Sequence, residues 1–162
     1  MSEIPQSNET KHPRVEVVTN KGSFVLELFP EDAPGHVANM LKLAGEGFYN
    51  GLHIHRVVAD FVVQAGCPFT RESATHPRAG TGDAGYKLPA EFNKRPHLRG
   101  TLAMARAQHP DSAGSQWYVC LAPAPFLDGN YTVFGEVEGD GMEVVDQLAV
   151  GDELEVVRVL DQ

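Results

Sequence analysis

The chain predicts a mainly β fold: an antiparallel sheet closed into a barrel, accompanied by two α-helices. Three observations lead there. Short runs rich in Val, Leu, Phe and Thr recur along most of the length, and only two stretches carry a helical period. The segment from Cys67 to Arg99 is crowded with Gly and Pro and has little regular pattern. Closing a sheet of many short strands removes the exposed edges that otherwise invite pairing with other chains.

Each element has a local reason. Arg14 to Thr19 and Phe24 to Phe29 are apolar runs interrupted by Glu16 and Glu27, and the Asn20-Lys21-Gly22-Ser23 break between them predicts a hairpin. The period then changes. Val37, Met40, Leu41 and Ala44 fall at i, i+3, i+4 and i+7, one face of a helix that Pro34 opens and Gly45 or Gly47 ends. Strand-like runs follow at His53 to Val58, Phe61 to Gln64, Thr101 to Ala105, Gln116 to Leu121 and Tyr131 to Val137. A second helix is predicted from about Asp140 to Val150. It would bury Met142, Val145 and Ala149, with Asp140 as its cap, Glu143 in the capping-box position and Gly151 at its stop. Glu153 to Leu160 forms the last strand. The long stretch from Cys67 to Arg99 is of the kind that is functional or disordered in compact domains.

With 162 residues the chain suits one domain, 14–162, behind a mobile polar tail, 1–13. Hydrophobic residues at 42% and charged residues at 22% are ordinary for a globular protein. A formal charge of −9 argues against nucleic acid, whose phosphates need a basic face. The N-terminus lacks the apolar core of a secretory signal, and no run is long enough to cross a membrane. Cys67 and Cys120 belong to no C-x-x-C pair, and two free thiols fit a reducing compartment. These features place the protein in the cytoplasm.

The stretch that carries chemistry runs from His55 to Gln64. It sets one cation, Arg56, and one two-way amide, Gln64, into an otherwise apolar run with Phe61. A buried arginine needs a partner, so taken alone it reads as a structural ion pair on a strand. Other blocks shift that balance: Phe48-Tyr49-Asn50-Gly51, Gly80-Thr81-Gly82, Gly100-Thr101-Leu102-Ala103-Met104-Ala105, Ser115-Gln116, Phe126-Leu127-Asp128-Gly129 and Val133-Phe134-Gly135. Together, and in this order, they make the chain from about Val15 to Leu160 resemble a cyclophilin-type peptidyl-prolyl cis-trans isomerase of the compact bacterial kind.

That resemblance implies a closed eight-stranded antiparallel barrel with a helix over each end and an active groove on the outer face. It implies Arg56 as the catalytic arginine, acting with Phe61 and Gln64. Phe61, Val62, Tyr118 and Leu127 would line a proline pocket, with Phe126 at its rim and Tyr131 at the groove edge. Gln64 and Gln116 would bind the peptide backbone, and the main chain of Ala105, Arg106 and Ala107 would pair with the substrate strand. The implied partners are proline-containing peptides and unfolded or partly folded proteins, met by a monomer.

These residue types suit that reaction. An X–Pro bond resists rotation by roughly 18–20 kcal/mol, because the nitrogen lone pair is delocalised into the carbonyl. Midway through rotation the nitrogen becomes pyramidal and can accept a hydrogen bond. A guanidinium aimed at it binds the twisted state more strongly than either planar isomer, and that differential lowers the barrier. No proton transfer, nucleophile, metal or cofactor is needed.

The chain departs from the family pattern at several positions. Val62 stands where methionine is common. Phe126 replaces a frequent tryptophan and so lacks an indole N–H donor, which predicts weaker binding of cyclosporin-like ligands. Tyr131 replaces a frequent histidine. Arg106 replaces a frequent asparagine, and its charge predicts a bias toward acidic flanks. Cys67 stands where acidic residues are common.

Other readings fare worse. Gly80 to Gly85 matches G-x-G-x-x-G, but Pro77 and Pro89 flank it where a dinucleotide site needs a strand and a helix. His53 and His55 share a strand face without a third ligand at suitable spacing. Ser115 lacks the glycines of a nucleophile elbow. The serious alternative is a non-catalytic proline-peptide binding module of the same fold, which need not keep Arg56, Phe61 and Gln64 together.

Overall fold

The computed structural model describes residues 12–160. Among these residues eight strands are joined in one antiparallel sheet: β1 Arg14–Thr19, β2 Gly22–Leu28, β3 Arg56–Val58, β4 Val62–Ala65, β5 Thr101–Met104, β6 Trp117–Cys120, β7 Val133–Val137 and β8 Leu154–Val159. Their order is β3-β4-β6-β5-β7-β2-β1-β8. Among the described residues two α-helices, α1 Pro34–Gly45 and α2 Met142–Val145, interrupt the strands. Of the expected tail, residues 1–11 lie outside the described residues, while the Pro13 carbonyl accepts the Leu28 N–H at 2.9 Å.

The sheet curls but does not close, which corrects the closed barrel expected from sequence. Its edges are β3 and β8, and among the described residues no ladder joins them. The reason is local. β3 has three residues, and the chain before it meets the chain before β8 through separate backbone bonds: Ile54 N–H to Asp152 O at 2.9 Å and Leu154 N–H to Leu52 O at 2.8 Å. A single bridge, His53 to Glu153, is all the pairing this permits. The result is a half-barrel stitched along one side by irregular backbone.

Two apolar clusters occupy its two faces. The alternation along β1 and β2 buries Val15, Val17, Leu26 and Leu28 inside the curl, against Trp117, Phe134, Leu102 and the helices. Strands β5 and β6 are instead buried at every residue. Their second face carries Ala103, Tyr118 and Cys120, which pack with Val62 and Val133 in a smaller cluster on the outside. That outer cluster is the floor of the site described below.

Helix α1 begins at Pro34 and ends at Gly45, as its period predicts. Val37, Met40 and Ala44 are buried, Leu43 joins them, and Leu41 is only partly covered. Two polar residues also face inward. Asn39 donates to Gly114 O at 3.2 Å and accepts from the Tyr86 hydroxyl, which ties the irregular segment to the helix. His36 is fully buried, with Nδ1 2.6 Å from Glu91 Oε1. The Glu91 carboxylate also accepts the Gly35 and His36 N–H groups, so it caps the helix start from across the fold.

Helix α2 differs from expectation. It is a single turn, Met142–Val145, with Gly141 rather than Asp140 at its N-cap and no side-chain cap. The chain continues in i to i+3 turns, burying Leu148 and leaving Ala149 exposed. The Asp152 carboxylate accepts the Ala149 N–H at 2.8 Å and pairs with Lys21 and Asn20, drawing the chain out of the helix early. Gly151 does end the segment, at φ +98.

Both cysteines are free and buried. Cys67, to which the sequence assigns no role, has one here: its Sγ accepts the Gly80 and Gly82 N–H groups, each at 3.3 Å, and holds that loop beside β4.

Burial lowers the His36 pKa below its ordinary 6.5 and outweighs the raising effect of the Glu91 carboxylate. Between that value and the lower folded one, the unfolded chain binds a proton at residue 36 that the folded chain does not. The stability contributed here is therefore present above pH 6.5 and lost as the pH falls. Ring chemical shifts followed between about pH 5 and 8 should give a His36 midpoint below that of an exposed histidine. A midpoint at or above it contradicts this packing.

Candidate active site

A tight hairpin creates the site. β3 and β4 pair with Val58 opposite Val62 and Arg56 opposite Gln64. The turn between them closes with the Phe61 N–H donating to Val58 O at 3.0 Å and holds Asp60 at φ 60. Asp tolerates that left-handed conformation better than most residues. Because side chains alternate along a strand, Arg56, Val62 and Gln64 rise on the same outer face. The β4–β6 register then sets Gln64 opposite Tyr118, and the β5–β6 register sets Tyr118 opposite Ala103.

The polar groups form a chain. Arg56 Nη1 donates to Gln64 Oε1 at 3.1 Å, Gln64 Nε2 to Gln116 Oε1 at 3.0 Å, and Gln116 Nε2 to Gly82 O at 2.9 Å. The guanidinium carbon also lies 5.8 Å from the Phe61 ring centre. Among the described residues Arg56 makes no ion pair, so the structural salt bridge that it suggests in isolation is not there. A neutral amide orients the guanidinium without quenching its charge, and the remaining N–H groups point to an exposed rim.

Arg56, Phe61, Val62, Gln64, Ala105, Arg106, Tyr118, Leu127 and Tyr131 surround one hollow of about 160 Å³. Leu127 comes from a 3-10 turn, Pro125–Leu127, whose Phe126 is 70% exposed and stacks on Phe61 with ring centres 5.6 Å apart. Phe126 therefore stands on the rim. Ala107 and Gln116 lie elsewhere: they line an adjoining hollow with Gly82, Asp83 and Ser112. The main chain between the hollows is partly engaged. The Ala105 N–H donates to Gln116 O at 3.0 Å and the Ala107 N–H to Ser112 Oγ at 2.8 Å. Among the described residues the Arg106 N–H has no such partner.

Arg106 is a staple. Nε and Nη2 donate to Asn130 O at 3.1 and 2.7 Å, and Nη1 to the Ala107 and Gln108 carbonyls at 3.0 and 2.9 Å. Its guanidinium carbon sits 4.6 Å from the Tyr131 ring centre. Those carbonyls take four of its five N–H donors and leave its charge in place.

The charges beneath the site are quiet. Burial, and then the Arg56 charge, lowers the His55 pKa, so His55 adds no second cation beside Arg56. Burial pushes the Cys120 thiol up to about 12 and the Tyr118 hydroxyl well above its ordinary range. Neither can act as a nucleophile near neutral pH. His53 turns away, with Nδ1 2.6 Å from Thr70 O.

Sequence reasoning missed one residue here. His97 is buried behind Tyr118, with Nε2 2.9 Å from the Tyr118 hydroxyl. It lies in the patternless stretch before β5, where no spacing marks it.

Comparison with known proteins fits this geometry. The family model for cyclophilin type peptidyl-prolyl cis-trans isomerases matches residues 14–161. A peptidyl-prolyl cis-trans isomerase of Helicobacter pylori is 42% identical over 158 residues, covering 96% of this chain and 91% of that protein. Peptidyl-prolyl cis-trans isomerase B of Bacillus subtilis is 45% identical over 142 residues, covering 86% and 91%. A cyclophilin type isomerase from Cryptosporidium parvum superposes with a TM-score of 0.82 at 25% identity, over 93% of this chain and 99% of that one. A structure of the same protein in the presence of the dipeptide Ala-Pro gives 0.80 at 25% identity, over 92% and 99%. The chain belongs to the cyclophilin-type peptidyl-prolyl cis-trans isomerase family.

Proposed function

We propose that the chain catalyses cis-trans rotation about X–Pro bonds in protein substrates, assisting their folding, with Arg56 stabilising the twisted imide. One observation carries the reading: a guanidinium held by the Gln64 amide, with no carboxylate on it, at the lip of a hollow with an apolar floor. Phe61, Val62, Tyr118 and Leu127 hold the pyrrolidine ring there while the preceding carbonyl swings. Burying the ring lowers the local dielectric and strengthens the hydrogen bond from Arg56 to the prolyl nitrogen. Gln116, held by Gly82 O, steadies Gln64 from behind and faces the neighbouring hollow, where the substrate chain would continue.

A pure binding module has no need of this arrangement. Pocket contacts alone hold a proline, whereas a preoriented, unpaired guanidinium acts mainly on a nitrogen that has lost its planarity. The Ala-Pro dipeptide named with the Cryptosporidium parvum structure supports proline peptides as ligands. The reading extends to proline-containing segments of unfolded or partly folded chains, met by a monomer in the cytoplasm. The two buried free thiols suit that reducing setting.

Arg56→Ala should fold normally and lose about 10²–10³ in turnover, the usual effect of removing one preorganised donor. A protease-coupled isomerisation assay checks it, and near-wild-type activity refutes the assignment. Cyclosporin-like ligands should bind weakly, because the exposed Phe126 ring offers no N–H donor. Calorimetry should return a dissociation constant well above the nanomolar range, and a nanomolar value contradicts this.

A further inference from the structure

Tyr118 does two things at once. One face of its ring lines the hollow, and its hydroxyl points away from it, into the protein, 2.9 Å from His97 Nε2. The two ring planes are nearly parallel, at 16°. The other ring nitrogen, His97 Nδ1, lies 2.9 Å from Asp128 Oδ1. An ionised carboxylate can only accept, so Nδ1 carries a proton, and in the neutral imidazole Nε2 then accepts and the Tyr118 hydroxyl donates. Hydrogen bonds from the His97 main chain and ring hold the Asp128 carboxyl below its ordinary range, which keeps it ionised for this task.

The main chain of His97 grips the same segment twice more. Its N–H donates to Asp128 Oδ1 at 2.7 Å, and its carbonyl accepts the Ala124 N–H at 2.9 Å. These bonds fall on either side of the 3-10 turn that carries Phe126 and Leu127. One buried side chain thus connects the floor of the hollow, Tyr118 on β6, with its opposite wall, Leu127.

We propose that His97 is a positioning residue for the proline seat: through Tyr118 and Asp128 it fixes the distance between the ring that forms the floor and the turn that forms the wall. The inference rests on the isomerase reading above. A phenylalanine at 118 would fill the same space, but its ring would lack the tether. The seat would then close around proline only by ordering itself at the moment of binding, which weakens affinity more than it slows rotation of substrate already bound.

The test measures affinity and exchange separately. An Ala-Pro peptide is titrated by NMR into wild type, Tyr118→Phe, His97→Phe and the double variant, each with its thermal transition recorded. The dissociation constant should rise roughly threefold to tenfold in either single variant, the range expected for one buried neutral hydrogen bond. The exchange rate at saturation should change by less than the affinity does. The double variant should bind no more weakly than the worse single one, because both substitutions break the same link. His97→Gln, which restores an acceptor to the hydroxyl, should recover part of the loss. Wild-type affinity in Tyr118→Phe and His97→Phe overturns the inference, and so do losses that multiply in the double variant. If His97→Phe fails to fold, Tyr118→Phe decides alone, and unchanged affinity there overturns it. A wild-type protein that binds the peptide without exchanging it overturns the isomerase reading instead, while the same dissociation constants still judge the tether.

Discussion

The site depends on how one arginine is kept charged, oriented and unpaired. Arg56 is exposed on its strand, so no burial cost calls for a carboxylate beside it. Here the cross-strand partner is Gln64, a neutral amide directly opposite it in register. The amide satisfies one donor and fixes the plane of the guanidinium, yet cancels none of its charge. The chain from Gln64 through Gln116 to Gly82 O then fixes which end of each amide accepts and which donates. A carboxylate at residue 64 would hold the arginine more tightly and weaken its pull on a substrate nitrogen.

The fold supplies the dry surface beside that charge. Most of the sheet buries one face only, but β5 and β6 are covered on both, and the outer cluster around Val62, Ala103, Tyr118 and Val133 gives the hollow an apolar floor. Irregular segments complete the walls. Arg106 joins the loop at 107–108 to Asn130, and His97 joins β6 to the turn at 124–128. Cys67 fastens the loop whose Gly82 carbonyl ends the amide chain. At Gly66, with φ +104, an added Cβ would lie 2.5 Å from Ser115 O, so the close crossing of backbone behind the site requires glycine.

Much of this was legible in the sequence because it depends on local periods. The alternation in β1 and β2 and the helical spacing of Val37, Met40 and Ala44 announce themselves, and an arginine with a glutamine in an apolar run marks the site. What was not legible depends on distant partners. The length of α2 turns on Asp152 taking the Ala149 N–H, and the open seam turns on backbone bonds between residues 52–54 and 151–154. His97 lies 21 residues from Tyr118 and 31 from Asp128, in a stretch without period. The charge of Arg106 was visible, but carbonyl acceptors leave no signature in side-chain identity, so its role as a staple was not.

The central claim is that Arg56 favours the twisted imide over both planar isomers, rather than simply holding peptide. Exchange NMR on an Ala-Pro peptide with wild type and Arg56→Lys separates the two, since lysine keeps the charge but loses the planar fork. The account predicts cis and trans affinities within about threefold of wild type, alongside an exchange rate at saturation lower by about tenfold or more. Exchange that survives the substitution, or an affinity that falls in step with the rate, would contradict it.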